Sequence, residues 1–305
     1  MADVLTFEDS DGVEISYRRW MPGGAPKAIV VVAHGASEHS GRYDRFATFL
    51  TSKGYAVYAP DHRGHGLTAK STGVGKGGPR GWDAMIDDLQ ELADVARADV
   101  GDLPVILFGH SMGSFLAQAY LQRHGDGLAG VVLSGSSGGL ADLDATIEGL
   151  QAFVDAGSGD EPVPILGPLN ARFEPARTPF DWLSRDEAEV DAYLADPMTG
   201  DDAPLTFGFV LDMMRTGAHM WDPANEKRIP TTLAVLLITG EEDPVSEGAK
   251  TVRELEARYL ANGIKDVTGR YYPGARHELL NETNRDAVQD DVAAWMDRIV
   301  GSPQA

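Results

Sequence analysis

Residues 109–114 carry the pattern Gly-x-Ser-x-Gly between two apolar runs. The run before them, 105–108, is short like a buried strand, and the run after them, 115–121, is typical of a buried helix. At such a junction the pattern places a serine on a strained turn with its hydroxyl exposed, and the flanking glycines avoid collisions where the chain reverses. We therefore expect a strand, a tight turn and a helix, with Ser111 as candidate nucleophile. The alternative is a glycine-rich turn in which the serine only caps the helix.

Strand-like and helix-like segments alternate along most of the chain, which favours a mostly parallel, doubly wound α/β sheet covered on both faces. A β-hairpin is predicted at the start, from strands at 4–8 and 13–20 joined by a turn rich in Asp and Gly. The predicted buried strands are 28–33, 56–60, 105–108, 131–133, 233–238 and 267–272. The predicted main helices are 43–50, 83–100, 115–121, 252–260 and 287–300.

The alternation breaks between 139 and 229, where prolines and short amphipathic pieces accumulate. We predict a core domain formed by 1–138 and 230–305, with 139–229 inserted as a helical cap. The first cap helix is predicted over 142–155, apolar on one face and acidic on the other. A cap that docks on bilayers is usually more apolar or basic, so this one favours dispersed or short-chain esters.

The charge balance is strongly acidic, with 26 Lys and Arg against 47 Asp and Glu and a formal net charge of −21. Such a surface repels phosphate, so we expect no nucleic-acid partner and at most weak peripheral contact with membranes. The acidic first residues lack the apolar core of a secretory signal, and the absence of cysteine excludes thiolate chemistry. A cytoplasmic location is expected.

A serine nucleophile needs a base and an acid that orients the base, in the chain order Ser, Asp, His. The predicted acid is Asp243, just after the strand 233–238, with Glu241 and Glu242 as alternatives. The predicted base is His277, because no other histidine follows Asp243. The oxyanion would be held by two backbone N–H groups, those of Met112 and Ala36.

The segment 61–66, Asp-His-Arg-Gly-His-Gly, has two histidines whose spacing could suggest a metal. No further ligand stands at a recognised interval, so a structural loop is favoured. No metal or organic cofactor is expected.

Four segments resemble the α/β-hydrolase superfamily, within it the monoacylglycerol lipase and lysophospholipase group. They are 34–43 (HGASEHSGRY), 61–66 (DHRGHG), 109–113 (GHSMG) and the cap pieces at 182–186, 189–193 and 196–197. The resemblance implies a serine hydrolase with the triad Ser111, Asp243 and His277, and a cap that roofs an acyl pocket. The predicted pocket residues are Phe173, Tyr193, Phe209 and Met213.

The predicted function is carboxylic-ester hydrolysis through an acyl-enzyme intermediate, on monoacylglycerol-like or other small acyl esters. One alternative is an amino- or iminopeptidase or amidase of the same fold, which would need acidic groups to anchor a free amine. Another, from a different class, is a non-catalytic ligand-binding homologue. Dehalogenase and epoxide hydrolase chemistry is disfavoured, because it uses a carboxylate nucleophile where this chain has serine.

Overall fold

A computed structural model describes residues 2–164 and 166–301 and contains one eight-stranded sheet with the order β1-β2-β4-β3-β5-β6-β7-β8. The strands β3 to β8 pair in parallel, while β2 pairs antiparallel with β1 and with β4. The strands are β1 Asp3–Glu8, β2 Glu14–Trp20, β3 Ala28–Ala33, β4 Tyr55–Pro60, β5 Val105–His110, β6 Gly130–Ser134, β7 Ala234–Gly240 and β8 Asp266–Tyr272.

Helices cover both faces of this sheet, as the apolar character of the central strands requires. In β3, for example, Ile29 and Val31 pack into one hydrophobic cluster and Val30 and Val32 into another on the opposite face. The α-helices are α1 Asp44–Ser52, α2 Ala69–Thr72, α3 Gly81–Val100, α4 Met112–His124, α5 Leu143–Phe153, α6 Glu187–Ala195, α7 Phe207–Met220, α8 Pro223–Glu226, α9 Lys250–Ala261 and α10 Arg285–Val300.

The predicted fold class is confirmed: a mostly parallel sheet with helices on both faces and an antiparallel hairpin at the N-terminal end. The helix expected over 142–155 is α5, which continues into a π-turn at Val154–Ser158. Between β6 and β7 the chain also forms α6, α7 and α8, which the periodicity did not delimit. The boundaries of the cap at 139 and 229 stay a prediction.

The segment 61–66 is a structural loop organised by Arg63, whose side chain is fully buried. Its guanidinium pairs with Asp9 at 2.5 Å and Asp11 at 2.9 Å in the hairpin turn, and with Asp88 on α3 at 2.9 Å. A buried cation is tolerated only when it is paired in this way. The loop thus ties the N-terminal hairpin to the helical layer.

Within the described ranges, none of the helices combines the length and the apolar character needed to cross a bilayer.

We expect Gly113→Ala to disrupt the fold at the turn into α4. A Cβ at Gly113 would lie 2.1 Å from the carbonyl oxygen of Ala33, and overpacking of this kind costs about 1–3 kcal/mol or more. The matched control is Gly149→Ala on α5, where an added Cβ meets nothing within 4 Å and alanine favours the helix by up to about 1 kcal/mol. Thermal unfolding followed by circular dichroism should show a large loss for the first variant only; equal melting temperatures would contradict this account.

Candidate active site

Ser111 lies between the last residue of β5 and the first of α4, on a backbone with φ 51° and ψ −121°. A non-glycine residue at positive φ is strained, and two hydrogen bonds hold it there. The Ser111 N–H donates to the Ser134 carbonyl at 2.9 Å, and the Ser114 hydroxyl donates to the Ser111 carbonyl at 2.6 Å. Ser111 is partly exposed and lines a cavity, so its hydroxyl is accessible from that space.

Asp243 and His277 form a buried pair, with exposed side-chain fractions of 0% and 1%. The His277 Nδ1–H donates to Asp243 Oδ1 at 2.9 Å. The Val245 N–H also donates to Oδ1, at 2.9 Å, and the Thr239 hydroxyl donates to Oδ2 at 3.2 Å. The carboxylate is therefore fixed, and it fixes in turn the tautomer of His277 that leaves Nε2 free of a proton.

The unprotonated Nε2 of His277 is buried and has no hydrogen-bond partner among the residues that the structure describes. His277 and Ser111 line the same cavity. Burial lowers the pKa of His277, but the negative charge of Asp243 and its hydrogen bond outweigh burial and raise the pKa above its ordinary value. The site thus holds a base whose protonated form is stabilised by a buried carboxylate.

The alternative acids in the loop after β7, Glu241 and Glu242, pair with arginines and not with His277. Glu241 pairs with Arg253 at 3.0 Å and Glu242 with Arg172 at 2.8 Å, and all four side chains are at least two-fifths exposed. Of the three acidic candidates, the structure places Asp243 against His277.

The loop after β3 brings Ala36 to the same cavity, and the peptide group that carries its N–H is held by His34. The His34 Nδ1–H donates to the Gly35 carbonyl at 2.8 Å, and His34 Nε2 accepts from the His62 N–H at 2.9 Å. Because C=O and N–H point in opposite directions in a trans peptide, a fixed Gly35 carbonyl also fixes the direction of the Ala36 N–H.

Glu38 holds the other side of this loop. Its Oε1 accepts from the Gly35 N–H at 2.5 Å and from the Tyr43 hydroxyl at 2.8 Å. Burial raises the pKa of Glu38, but the Arg42 guanidinium at 2.7 Å brings the pKa down to about 2. Glu38 therefore stays ionised at neutral pH and keeps its hydrogen bonds.

Met112 is the first residue of α4, where an N–H has no acceptor within the helix. Both predicted oxyanion donors thus belong to turns that start at the carboxyl ends of neighbouring parallel strands, β3 and β5. That is the edge of the sheet where such folds bind ligands.

The histidines of the segment 61–66 form a buried aromatic group with His34, with ring centroids 4.3 Å apart for His62 and 5.2 Å apart for His65. Burial lowers the pKa of all three, that of His65 to about 3. In the described ranges, no group of three or more His, Asp or Glu side chains is arranged to hold a metal ion. The rings of His62 and His65 thus pack against His34, in the loop that carries Ala36.

The cavity beside Ser111 holds about 270 Å³ of empty space. Residues of four regions line it: the loop after β3, the turn at Ser111, the loop that carries His277 and the segment between β6 and β7. The lining residues are Gly35, Ala36, Glu38, His110, Ser111, Leu166, Trp182, Leu183, Tyr193, His277 and Glu278.

Of the four predicted pocket residues, Tyr193 lines this cavity. Phe209 and Met213 belong to the hydrophobic cluster that packs on one face of the sheet, and Phe173 packs beside a smaller cluster formed by residues between β6 and β7. Their role in substrate binding stays a prediction, because hydrophobic side chains at helical spacing suit a core as well as a pocket. Trp182, Leu183 and Glu278 were missed, although the first two stand in a segment that carried the resemblance.

The fold is that of an α/β-hydrolase, and the enzyme class is serine hydrolase. The chain belongs to the Hydrolase_4 family, described as serine aminopeptidase S33, whose model matches residues 24–284.

Known relatives match along almost the whole chain. A monoacylglycerol lipase from Mycolicibacterium smegmatis is 31% identical over 298 residues, covering 95% of each chain. The human monoglyceride lipase is 30% identical, covering 96% of this chain and 90% of its own. A thermostable carboxyl esterase from Bacillus coagulans, solved in complex with glycerol, superposes with a TM-score of 0.88 at 29% identity, covering 98% of this chain and 99% of its own. These relatives support ester hydrolysis as the chemistry.

Proposed function

We propose that this enzyme hydrolyses small carboxylic esters, monoacylglycerol-like esters among them, through an acyl-enzyme intermediate. The observation that carries the proposal is the buried pair of Asp243 and His277, whose free Nε2 shares a cavity with Ser111. The named lipases and the carboxyl esterase support the ester as substrate class.

In the first half of the reaction the Ser111 hydroxyl attacks the ester carbonyl while its proton passes to His277 Nε2. Asp243 stabilises the imidazolium that forms. The N–H groups of Ala36 and Met112 hold the oxyanion of the tetrahedral intermediate. His277 then donates the proton to the leaving alkoxide, and the acyl group stays on Ser111.

In the second half a water molecule attacks the acyl-enzyme while its proton passes to His277. Collapse of the second tetrahedral intermediate releases the acid and returns the proton to Ser111. The polar residues of the lining, such as Glu38, His110 and Glu278, suit a hydroxyl-bearing alcohol. The apolar residues Leu166, Trp182 and Leu183 suit the acyl group.

A peptidase that binds a free N-terminal amine needs an unpaired carboxylate near the serine. The two carboxylates that line the cavity, Glu38 and Glu278, are both paired with Arg42, at 2.7 and 2.6 Å. Both carboxylates thus already have a cationic partner, although the single guanidinium leaves one negative charge in the group, and this shared pairing favours esters with uncharged alcohols over peptides with a free amine.

The test compares p-nitrophenyl butyrate and a monoacylglycerol with an aminoacyl p-nitroanilide, alongside labelling by a fluorophosphonate probe. We expect turnover of the esters, labelling at Ser111 and little cleavage of the anilide. Efficient cleavage of the anilide with poor turnover of the esters would support the peptidase instead. Absence of both labelling and turnover would support a non-catalytic binding protein.

A further inference from the structure

The apolar wall of the active-site cavity is built by the cap residues Trp182, Leu183 and Leu166. Trp182 and Leu183 are 3% exposed and belong to the cap cluster that also contains Phe180 and Tyr193, with Leu166 packed against it. The wall is therefore the inner surface of a packed cluster. It does not recede when a ligand enters unless that cluster is repacked, because close-packed interiors resist such changes.

The indole of Trp182 lies directly on the candidate base. Its ring centroid is 4.8 Å from that of His277, with an angle of 41° between the ring planes. An acyl group on Ser111 would therefore enter a cavity that this indole lines next to the candidate base.

The backbone of the wall is tied to the loop that carries His277. We name residues 181–185 the cap tether. The Glu278 N–H donates to the Leu183 carbonyl at 2.8 Å, and the His277 N–H to the Trp182 carbonyl at 3.4 Å. Three side-chain hydrogen bonds connect the same two segments. Arg276 Nη1 donates to the Ser184 carbonyl at 3.1 Å, and the Ser184 hydroxyl donates to the Asn281 carbonyl at 2.8 Å. Arg185 Nε donates to Glu282 Oε2 at 2.8 Å.

Opening the wall would break these bonds and displace the base, so the cap tether keeps Trp182 in place during the reaction. The part of the lining opposite Trp182 is charged. Glu38 and Glu278 both pair there with Arg42, and an alkyl chain against these buried charges would gain little of the free energy of apolar burial.

We propose that Trp182 sets the acyl-chain length of this enzyme: its indole stops the acyl group of the ester after a few carbons and makes short-chain esters the preferred substrates. This inference rests on the proposed ester hydrolysis and adds the substrate class. Trp182 contacts the acyl group as a specificity-determining residue and takes no part in proton transfer.

The experiment measures kcat/KM for p-nitrophenyl acetate, butyrate, hexanoate, octanoate and dodecanoate. In the unsubstituted enzyme we expect butyrate or hexanoate to be preferred over dodecanoate by about tenfold or more, the discrimination that small changes of fit in an apolar pocket produce. Trp182→Ala should raise the ratio of dodecanoate to butyrate by about tenfold. Trp182→Phe, which keeps an aromatic wall, should retain the short-chain preference.

The matched control is Phe180→Leu, a change in the same cap cluster at a residue outside the cavity lining. It should leave the ratio of dodecanoate to butyrate unchanged even if it lowers the melting temperature. Trp182→Leu is a milder reduction of the side chain, for use if the alanine variant unfolds. Its ratio of kcat/KM for dodecanoate to that for butyrate should lie between those of the unsubstituted enzyme and the alanine variant.

Two outcomes would overturn the inference while leaving the proposed function intact: dodecanoate hydrolysed as well as butyrate by the unsubstituted enzyme, or an unchanged ratio in folded Trp182→Ala and Trp182→Leu. Absence of turnover on every ester, together with absence of fluorophosphonate labelling, would overturn the proposed function itself and the inference with it.

Discussion

Ser111→Ala should lower kcat/KM for p-nitrophenyl butyrate by about 10⁴-fold or more, because removal of the nucleophile of a triad leaves only transition-state binding by the remaining groups. The fold should survive. The bonds that hold the turn involve the Ser111 backbone, to Ser134 and Ser114, and the substitution leaves them in place.

The measurement uses purified protein, with thermal unfolding run beside the kinetics. The matched control is Ser137→Ala, which removes a buried hydroxyl that bonds to Thr251 at 3.0 Å. This variant should keep fluorophosphonate labelling at Ser111, whereas Ser111→Ala should lose it. Near-normal turnover by Ser111→Ala would exclude the acyl-enzyme mechanism.

Asp243→Asn should lower kcat/KM by about 10³–10⁴-fold, since an amide in this place favours the wrong tautomer of the histidine and does not stabilise its cation. Two other groups already donate to the Asp243 carboxylate, the Val245 N–H and the Thr239 hydroxyl. The asparagine side chain fits the same space, so the loss should appear in kcat with little change in melting temperature.

The pH dependence gives this substitution a second readout. His277 acts as a base only when neutral, so activity should rise with pH through its pKa, which Asp243 raises above the ordinary value. Without the Asp243 carboxylate, burial is opposed only by the smaller effects of Glu278 and Glu38, so the pKa of His277 should fall. The remaining activity of Asp243→Asn should therefore reach its plateau at a lower pH than that of the unsubstituted enzyme.

The control is Glu242→Gln, which changes an exposed acid of the same loop that is paired with Arg172. This variant should keep both kcat/KM and the pH dependence of the unsubstituted enzyme.

If activity rises over the same pH range in Asp243→Asn as in the unsubstituted enzyme, His277 is not the titrating base. A loss of less than about tenfold in kcat/KM would show that Asp243 does not support the base, because triad acids contribute far more.

The fold was predictable from the sequence where periodicity is strong. Buried strands such as β3 and β7 are continuous apolar runs, and the turn at Ser111 needs glycines at fixed positions, so both leave local signals. Helices α6 and α7 were not delimited, since the cap mixes short elements with prolines and its apolar residues face two surfaces at once.

The candidate triad could be predicted from the order of its residues along the chain. The order of Ser111, Asp243 and His277 is a sequence property, and the structure brings the last two to 2.9 Å. The contacts of Arg42 with Glu278 and of the cap tether with the His277 loop join residues far apart in the chain, 236 positions in the first case. Pairings over such separations have no periodicity, so a single sequence does not reveal them.

The buried Arg63 has a consequence for any shortened form of the enzyme. Its charge is compensated by Asp9 and Asp11 before the first parallel strand as well as by Asp88 after it. A truncated protein that starts at Ala28 would lose two of the three carboxylate partners of Arg63 and expose the edge of β4. The first two dozen residues, remote from the chemistry, are thus part of the smallest unit that engineering can use.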